Sequence, residues 1–492
     1  MAYRDLREWI AKLESEGELI RITARVDWDL ELAEISRRVL TRRGPALLFE
    51  NIKDYGQTRC RKIMVNGIAK RSRVALMLGQ PKNTPPQELI QIVRERFKHP
   101  VEPRRVDTGP VKENVVQGDD IDLFQFPAPK WHPLDGGRYS DTFCGVVVRD
   151  PDTKELNVGL YRGMISSKNK LAKYLIPHQH WGQVYQKYQQ VGRPMPVAVV
   201  YGWDDVLPFI ASAPLAHPPG EYAYMGGMRR EAVELVRCET SDLEVPASAE
   251  IVFEGFVSPD PATYVDEGPF GEWFGYYGAR RKRPVVQVEC ITHRNDPIFR
   301  GQVEGTKPGV ISEGGFAGIY SLTPLIWDYL EKAGVPGVLD VIPAPVYVIK
   351  IRKMYEGHAR QVAAALFGSS LTLQTAKVVV VVDEDVDIRS PRALELALRD
   401  RVDPKDDVIV FPGFPGSPLD PSLPLDYRDE LKYGAAPHNK LLVDGTIDWV
   451  KHPIRQDWGN RRYPPRCTEE TLPEIEDLVT RRWEEYGLGG DL

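Results

Sequence analysis

Leu6, Trp9, Ile10 and Leu13 recur at three- and four-residue spacing, which predicts an amphipathic helix that Gly17 ends. The same period over 29–43, with Leu30, Ala33, Ile35 and Leu40 apolar, predicts a second helix stopped by Gly44. Short apolar runs at 45–49 and 63–65 and a helix over 86–97 complete a small α/β domain across residues 1–105. From Pro103 to Gly118 the chain is polar and irregular, as a linker is. Residues 122–139 then mix Pro, Gly and aromatics, including Trp131-His132-Pro133 and Asp135-Gly136-Gly137-Arg138-Tyr139, and read as an ordered loop over a core.

The pattern changes over 115–310. A β-branched run at 142–149, a turn at Asp150-Pro151-Asp152 and a return at 157–164 predict a hairpin. Further strands are expected at 197–201, 251–257, 285–291 and 298–303, the many short strands of a barrel or sandwich. Across 320–445 the chain alternates helices (322–333, 357–366, 392–399) with strands (346–351, 377–382, 407–410). Continuous valines at 378–382 suit a parallel, doubly wound sheet. Residues 446–492 form a tail with one helix near 473–486.

Composition narrows the class. At 492 residues and 42% hydrophobic content the chain is expected to fold into several globular domains. A net charge of −6 gives no pull toward nucleic acid or anionic membrane. The basic runs Lys70-Arg71-Ser72-Arg73 and Arg280-Arg281-Lys282-Arg283 read as solvated turns. No apolar run reaches the ~20 residues that span a bilayer, and the charged start Met1-Ala2-Tyr3-Arg4-Asp5 lacks a signal-peptide core. Cys60, Cys144, Cys238, Cys290 and Cys467 are scattered with no CxxC pair, which fits reduced thiols in a cytoplasmic protein.

Candidate chemistry gathers in four places. In Asp266-Glu267-Gly268-Pro269-Phe270-Gly271-Glu272-Trp273-Phe274, two carboxylates five residues apart flank a segment no helix tolerates. The aromatics beside Glu272 predict an apolar pocket that raises its pKa toward proton transfer; a surface hairpin with two solvated acids is the alternative. Asn157-Val158-Gly159-Leu160-Tyr161-Arg162 puts Asn157 and Arg162 on opposite faces of a strand unless Gly159 allows a bulge. His178 and His180 in Pro177-His178-Gln179-His180-Trp181 would share a strand face. Glu221, after Pro218-Pro219-Gly220, opens a helix, where an acid also simply complements the dipole. Together Asn157, His180 and Glu221 offer an amide oxygen, an imidazole and a carboxylate, a set suited to Mn²⁺ or Mg²⁺ more than zinc. Arg162, Glu267 and Glu272 form a second group, one cation with two acids.

These motifs, with Gln179-His180, Ser212-Ala213-Pro214, Asp122-Leu123-Phe124 and Gly357-His358-Ala359-Arg360, occur in the order found in the UbiD family, and the chain resembles that family from about residue 120 to 380. The resemblance implies a small N-terminal α/β domain, a central split β-barrel like that of flavin reductases, and a C-terminal α/β domain used in oligomerisation, as a homodimer or homohexamer. It implies prenylated FMN as cofactor, made by a flavin prenyltransferase. Asn157, His180 and Glu221 match the family's Mn²⁺ ligands, with K⁺ nearby. Val158, Gly159, Leu160, Tyr161, Gln179, Ser212, Ala213 and Pro214 match its cofactor-binding segments, and Lys377 matches its phosphate-reaching lysine. Arg162, Glu267 and Glu272 match its catalytic set for reversible decarboxylation of an aromatic, heteroaromatic or other α,β-unsaturated acid, with Glu272 as proton donor. An FMN oxidoreductase and a non-catalytic carboxylase subunit are the competing readings. The acid pair argues against the first, and the presence of all six residues argues against the second.

Overall fold

Asp5 caps the helix Leu6–Ser15 by accepting from the Glu8 N–H, and the stripe Leu6, Trp9, Ile10 and Leu13 is buried as its spacing requires. The computed structural model describes residues 3–215, 218–465 and 472–488. The helices Glu31–Thr41 and Pro86–Phe97 and the strands Ala46–Phe49 and Lys62–Val65 also follow the sequence pattern. With Leu19–Ile22 these strands form a four-stranded sheet whose last member is Ile298–Arg300. That strand, expected in the central sheet, instead runs parallel to Lys62–Val65. Its Arg300 is buried there and ion-paired with Asp205 at 2.9 Å and with Glu313.

The central sheet is curled into a half-barrel of nine strands among the described residues. The expected hairpin is present: Gly145–Arg149 pairs antiparallel with Leu156–Gly159, Val148 opposite Asn157. Met195–Tyr201, Ile251–Val257 and Val285–His293 continue the sheet antiparallel.

The C-terminal sheet is mixed, which corrects the expected parallel arrangement. Tyr347–Ile351, Val378–Asp383 and Ala436–Gly445 are parallel neighbours, while Val338–Ile342 and Val408–Gly416 close the two edges antiparallel. The valine strand sits between two parallel partners, so its apolar run reported on the centre and not on the edges. Helices His358–Phe367 and Pro391–Arg401 pack into separate cores of this domain.

The solvated-turn reading fails for the last arginine of each basic run, while Arg71, Arg280 and Lys282 stay exposed. Arg73 lies in the helix Arg71–Met77, is 1% exposed and pairs with Glu18 at 3.0 Å. Arg283 ends the strand Arg281–Arg283, is equally buried and pairs with Glu430 of the C-terminal domain. In both, a distant carboxylate permits the burial. Cys60, Cys144, Cys238 and Cys290 are buried free thiols, and Cys467 lies outside the described residues. No helix among the described residues is long and apolar enough to cross a membrane.

Candidate active site

The strand Val265–Glu267 pairs antiparallel with Arg281–Arg283 and delivers Glu267 to the interior, fully buried. Gly268 then takes φ +90°, where a Cβ would meet the Ala279 carbonyl at 2.6 Å, so the position requires glycine. Glu272 follows in a tight hairpin: its N–H donates to the Tyr276 carbonyl at 2.9 Å, and the Gly278 N–H to the Phe270 carbonyl at 2.8 Å. The hairpin is real, but its acids are not solvated. Glu272 is 6% exposed, while the exposed acid here is Asp266, paired with Arg280.

Arg162 joins the two glutamates. Its Nε and Nη2 donate to the Glu267 carboxylate at 3.0 and 2.8 Å, the fork geometry in which arginine binds carboxylates best. Its Nη1 faces Glu272 Oε1 in a second ion pair. Gly278 makes room for this pair: a Cβ there would come within 3.2 Å of Arg162 Nη1 and 3.4 Å of Glu272 Oε1. Burial would lower the guanidinium pKa, but Glu267 beside it outweighs that and holds it above its ordinary value. Arg162 is therefore a fixed cation. It stacks over Tyr174, 4.0 Å from the ring centroid, and lies 5.4 Å from that of Phe270.

The aromatic surroundings differ from those expected. Trp273 is 46% exposed and lies against Phe274 at a tilt of 35°, so the indole that follows Glu272 does not enclose it. The buried rings are Tyr139, Phe270 and Tyr174. The Tyr139 hydroxyl donates to Glu267 Oε1 at 2.8 Å; burial and Glu267 together push its pKa well above 10. Sequence reading left Tyr139 and Tyr174 without a role, although Tyr139 closes the Gly/aromatic run singled out as an ordered loop.

The second group assembles around Glu221. This residue opens the helix Glu221–Arg229 as expected and is 2% exposed. Its carboxylate accepts from Asn157 Nδ2 and from the Val158 N–H, both at 2.9 Å. The Tyr161 hydroxyl donates to Asn157 Oδ1 at 3.3 Å. Gly159 must be small because a Cβ would meet the Tyr161 ring at 2.4 Å. The Leu160 N–H donates to the Ala211 carbonyl at 2.9 Å, which brings the Asn157–Arg162 motif beside Ser212, Ala213 and Pro214.

His180 does not lie on a strand, which corrects the shared-face reading of His178 and His180. Gln179 is the extended cap residue, and His180 begins the helix His180–Gln190. Trp181, Val184, Tyr185 and Tyr188 supply its buried stripe, a helical period that the histidine pair obscured. Trp181 stacks on Tyr161 at 4.7 Å, so the residue after His180 touches the Asn157–Arg162 motif. His178 turns the other way and bonds the Gly434 carbonyl and Gln374 of the C-terminal domain. Lys377 stands apart: its ammonium is held by Ser422 at 2.6 Å and Asp420 at 2.8 Å, and it makes no hydrogen bond or ion pair with either group.

Three sequence models match this chain in order: the 3-octaprenyl-4-hydroxybenzoate carboxy-lyase N-terminal domain over 10–93, its Rift-related domain over 104–307 and its C-terminal domain over 322–445. The chain belongs to the UbiD family. An uncharacterized protein from Aquifex aeolicus is 33% identical over 99% of both chains, and the uncharacterized Synechocystis protein sll0936 is 32% identical over 99% of this chain and 96% of its own. Among solved UbiD-type structures, vanillic acid decarboxylase of Sedimentibacter hydroxybenzoicus in its closed form superposes with a TM-score of 0.86 at 29% identity, covering 97% and 99% of the two chains. HmfF of Pelotomaculum thermopropionicum in complex with FMN gives 0.78 at 29% identity over 96% and 99%, and an evolved dimeric form of HmfF with prFMN gives 0.76 at 28% over 96% and 100%. The protein is thus a homologue of UbiD-class decarboxylases.

Proposed function

We propose that this protein catalyses the reversible, non-oxidative decarboxylation of an aromatic or heteroaromatic acid with prenylated FMN, Glu272 acting as proton donor. The observation that carries the reading is the buried arrangement in which Arg162 is forked onto Glu267 and paired with Glu272. A flavin hydride transfer has no use for two carboxylates on one guanidinium; a proton exchanged for CO₂ does.

The donor set fits the cofactor's metal. Asn157 and Glu221 are side-chain oxygen donors on adjacent elements, and a hard divalent ion such as Mn²⁺ would offset the buried Glu221 charge. Asn157, His180 and Glu221 would hold that ion, and the segments 157–162 and 211–214 would hold the cofactor. Prenylated FMN, when bound, supplies the electron sink that loss of CO₂ from an unsaturated carbon requires. The C–COO⁻ bond breaks, CO₂ leaves, and the proton on Glu272 takes its place on the carbon; carboxylation runs the same steps backward. Arg162 keeps positive charge beside the carboxylate-bearing reactant and orients Glu272. Glu267 and Tyr139 hold Arg162 so that this orientation is set before substrate arrives.

Co-expression with a flavin prenyltransferase, followed by a screen of aromatic and acrylic acids for CO₂ release, tests this reading. The expected result is a coloured, Mn²⁺-containing homo-oligomer whose released flavin is heavier than FMN by one C5 prenyl unit. Fully active protein containing only ordinary FMN would overturn it.

A further inference from the structure

Residues 131–138 take no part in the chemistry proposed above, yet they grip the loop that follows Glu267 from one side. The Gly136 N–H donates to the Pro269 carbonyl at 2.8 Å, and the Leu134 N–H to the Tyr277 hydroxyl at 3.2 Å. The His132 ring packs on Gly271 so closely that a Cβ there would lie 2.7 Å from Cδ2 and Nδ1. At the centre is Asp135, 5% exposed. Its Oδ2 accepts from the His132 and Trp131 N–H groups at 2.8 and 3.2 Å, which folds its own turn. Its Oδ1 reaches across and accepts the Gly271 N–H at 3.0 Å.

We propose that Asp135 is a positioning residue for the proton donor: by holding the Gly271 amide it fixes the peptide from which Glu272 projects, and so sets the Glu272 carboxyl against Arg162. The inference rests on the donor role proposed for Glu272. Only a carboxylate suits this place. Asp135 offers one oxygen to its own turn and the other to Gly271, whereas an asparagine has a single oxygen. One of the two grips would then meet an NH₂ group facing an N–H, a contact that repels. Asp135 never touches the reacting atoms. It acts through one amide and one Cα, and a displacement of about 1 Å is enough to cost ~10²-fold in rate.

The test is a double-mutant cycle between Asp135→Asn and Glu272→Gln, with amide hydrogen exchange of the cofactor-free proteins as an independent readout. Asp135→Asn is expected to lower kcat about 10- to 100-fold with KM and flavin content unchanged. On the Glu272→Gln background it should change kcat less than about twofold, because the group it positions is gone. Amides over 271–277 should lose protection while the central sheet keeps it. Gly271→Ala, which drives the loop off His132 from the opposite side, takes the place of Asp135→Asn if that variant does not accumulate. Equal fold-losses in both backgrounds, or wild-type kcat with unchanged protection over 271–277, would overturn the proposal. Wild-type turnover in Glu272→Gln alone would instead remove the donor role, and the exchange arm would still decide whether Asp135 holds the loop.

Discussion

Arg162 and Tyr174 form a stacked pair, with the guanidinium carbon 4.0 Å from the ring centroid and the ring itself buried. The same ring carries Arg283 at 4.7 Å, so one tyrosine contacts both Arg162 and the arginine paired with Glu430 of the C-terminal domain. A desolvated cation–π contact is worth ~1–2 kcal/mol. Tyr174→Leu keeps the position apolar and removes the ring and, with it, that attraction. Its kcat is expected to fall about 5- to 30-fold, with flavin content matched to wild type.

Arg283 and Glu430 join the central and C-terminal domains through a pair whose side chains are 2% and 1% exposed. Removing one partner of such a pair typically costs ~3–5 kcal/mol, because the other charge stays buried. Glu430→Gln is expected to lower Tm by about 5 °C or more. Hydrogen exchange in the same variant should show 425–434 opening before the sheet of the C-terminal domain. Unchanged Tm and exchange would show that the pair contributes nothing to docking.

Two groups at the acid loop give stability opposite pH slopes. Burial, with a smaller push from Arg37, lowers the His132 pKa from 6.5 to about 4, so on acidification the unfolded chain takes up this proton first. Its contribution to stability is lost as pH falls from about 6.5 to 4. Burial raises the Asp135 pKa from 3.8 to about 6 against the pull of its three backbone donors. Here the folded form binds the proton first, so its contribution falls as pH rises from about 3.8 to 6. His132→Asn removes the first slope and keeps the second. Relative to wild type, its Tm should decline less between pH 6.5 and 4.5, as thermal unfolding at the two pH values would reveal.

Glu221→Gln preserves shape and removes the charge proposed to balance a divalent ion. Metal content measured by mass spectrometry on the purified protein should drop several-fold, and bound flavin with it. Wild-type occupancy of both would withdraw Glu221 from the ligand set.

Short-range order was the part of the structure most open to sequence reading. The stripe Leu6, Trp9, Ile10, Leu13 and the hairpin around Asp150 depend on neighbours a few residues away, and both appear as expected. The failures share a cause. Arg73, Arg283 and Ile298–Arg300 are placed by partners 55, 147 and more than 200 residues distant, which no local pattern reports. At the site, residue types identified Arg162, Glu267 and Glu272 as candidates, but the fork that joins Arg162 to Glu267 spans 105 residues. Tyr139, Tyr174 and Asp135 went without roles because each acts across the fold on a residue more than ten positions away.

Turnover of Glu272→Gln, with solvent deuterium incorporation into product, tests the central claim most directly. The substitution is nearly isosteric, and Glu272 Oε1 keeps a carbonyl-like oxygen toward Arg162, so folding and cofactor content should be retained. A carboxamide cannot deliver the proton, and loss of a positioned general acid typically lowers the rate about 10²- to 10⁴-fold. The account predicts a fall of that size in turnover and in deuterium exchange, with flavin and metal at wild-type levels. Near wild-type turnover in fully loaded Glu272→Gln would contradict it.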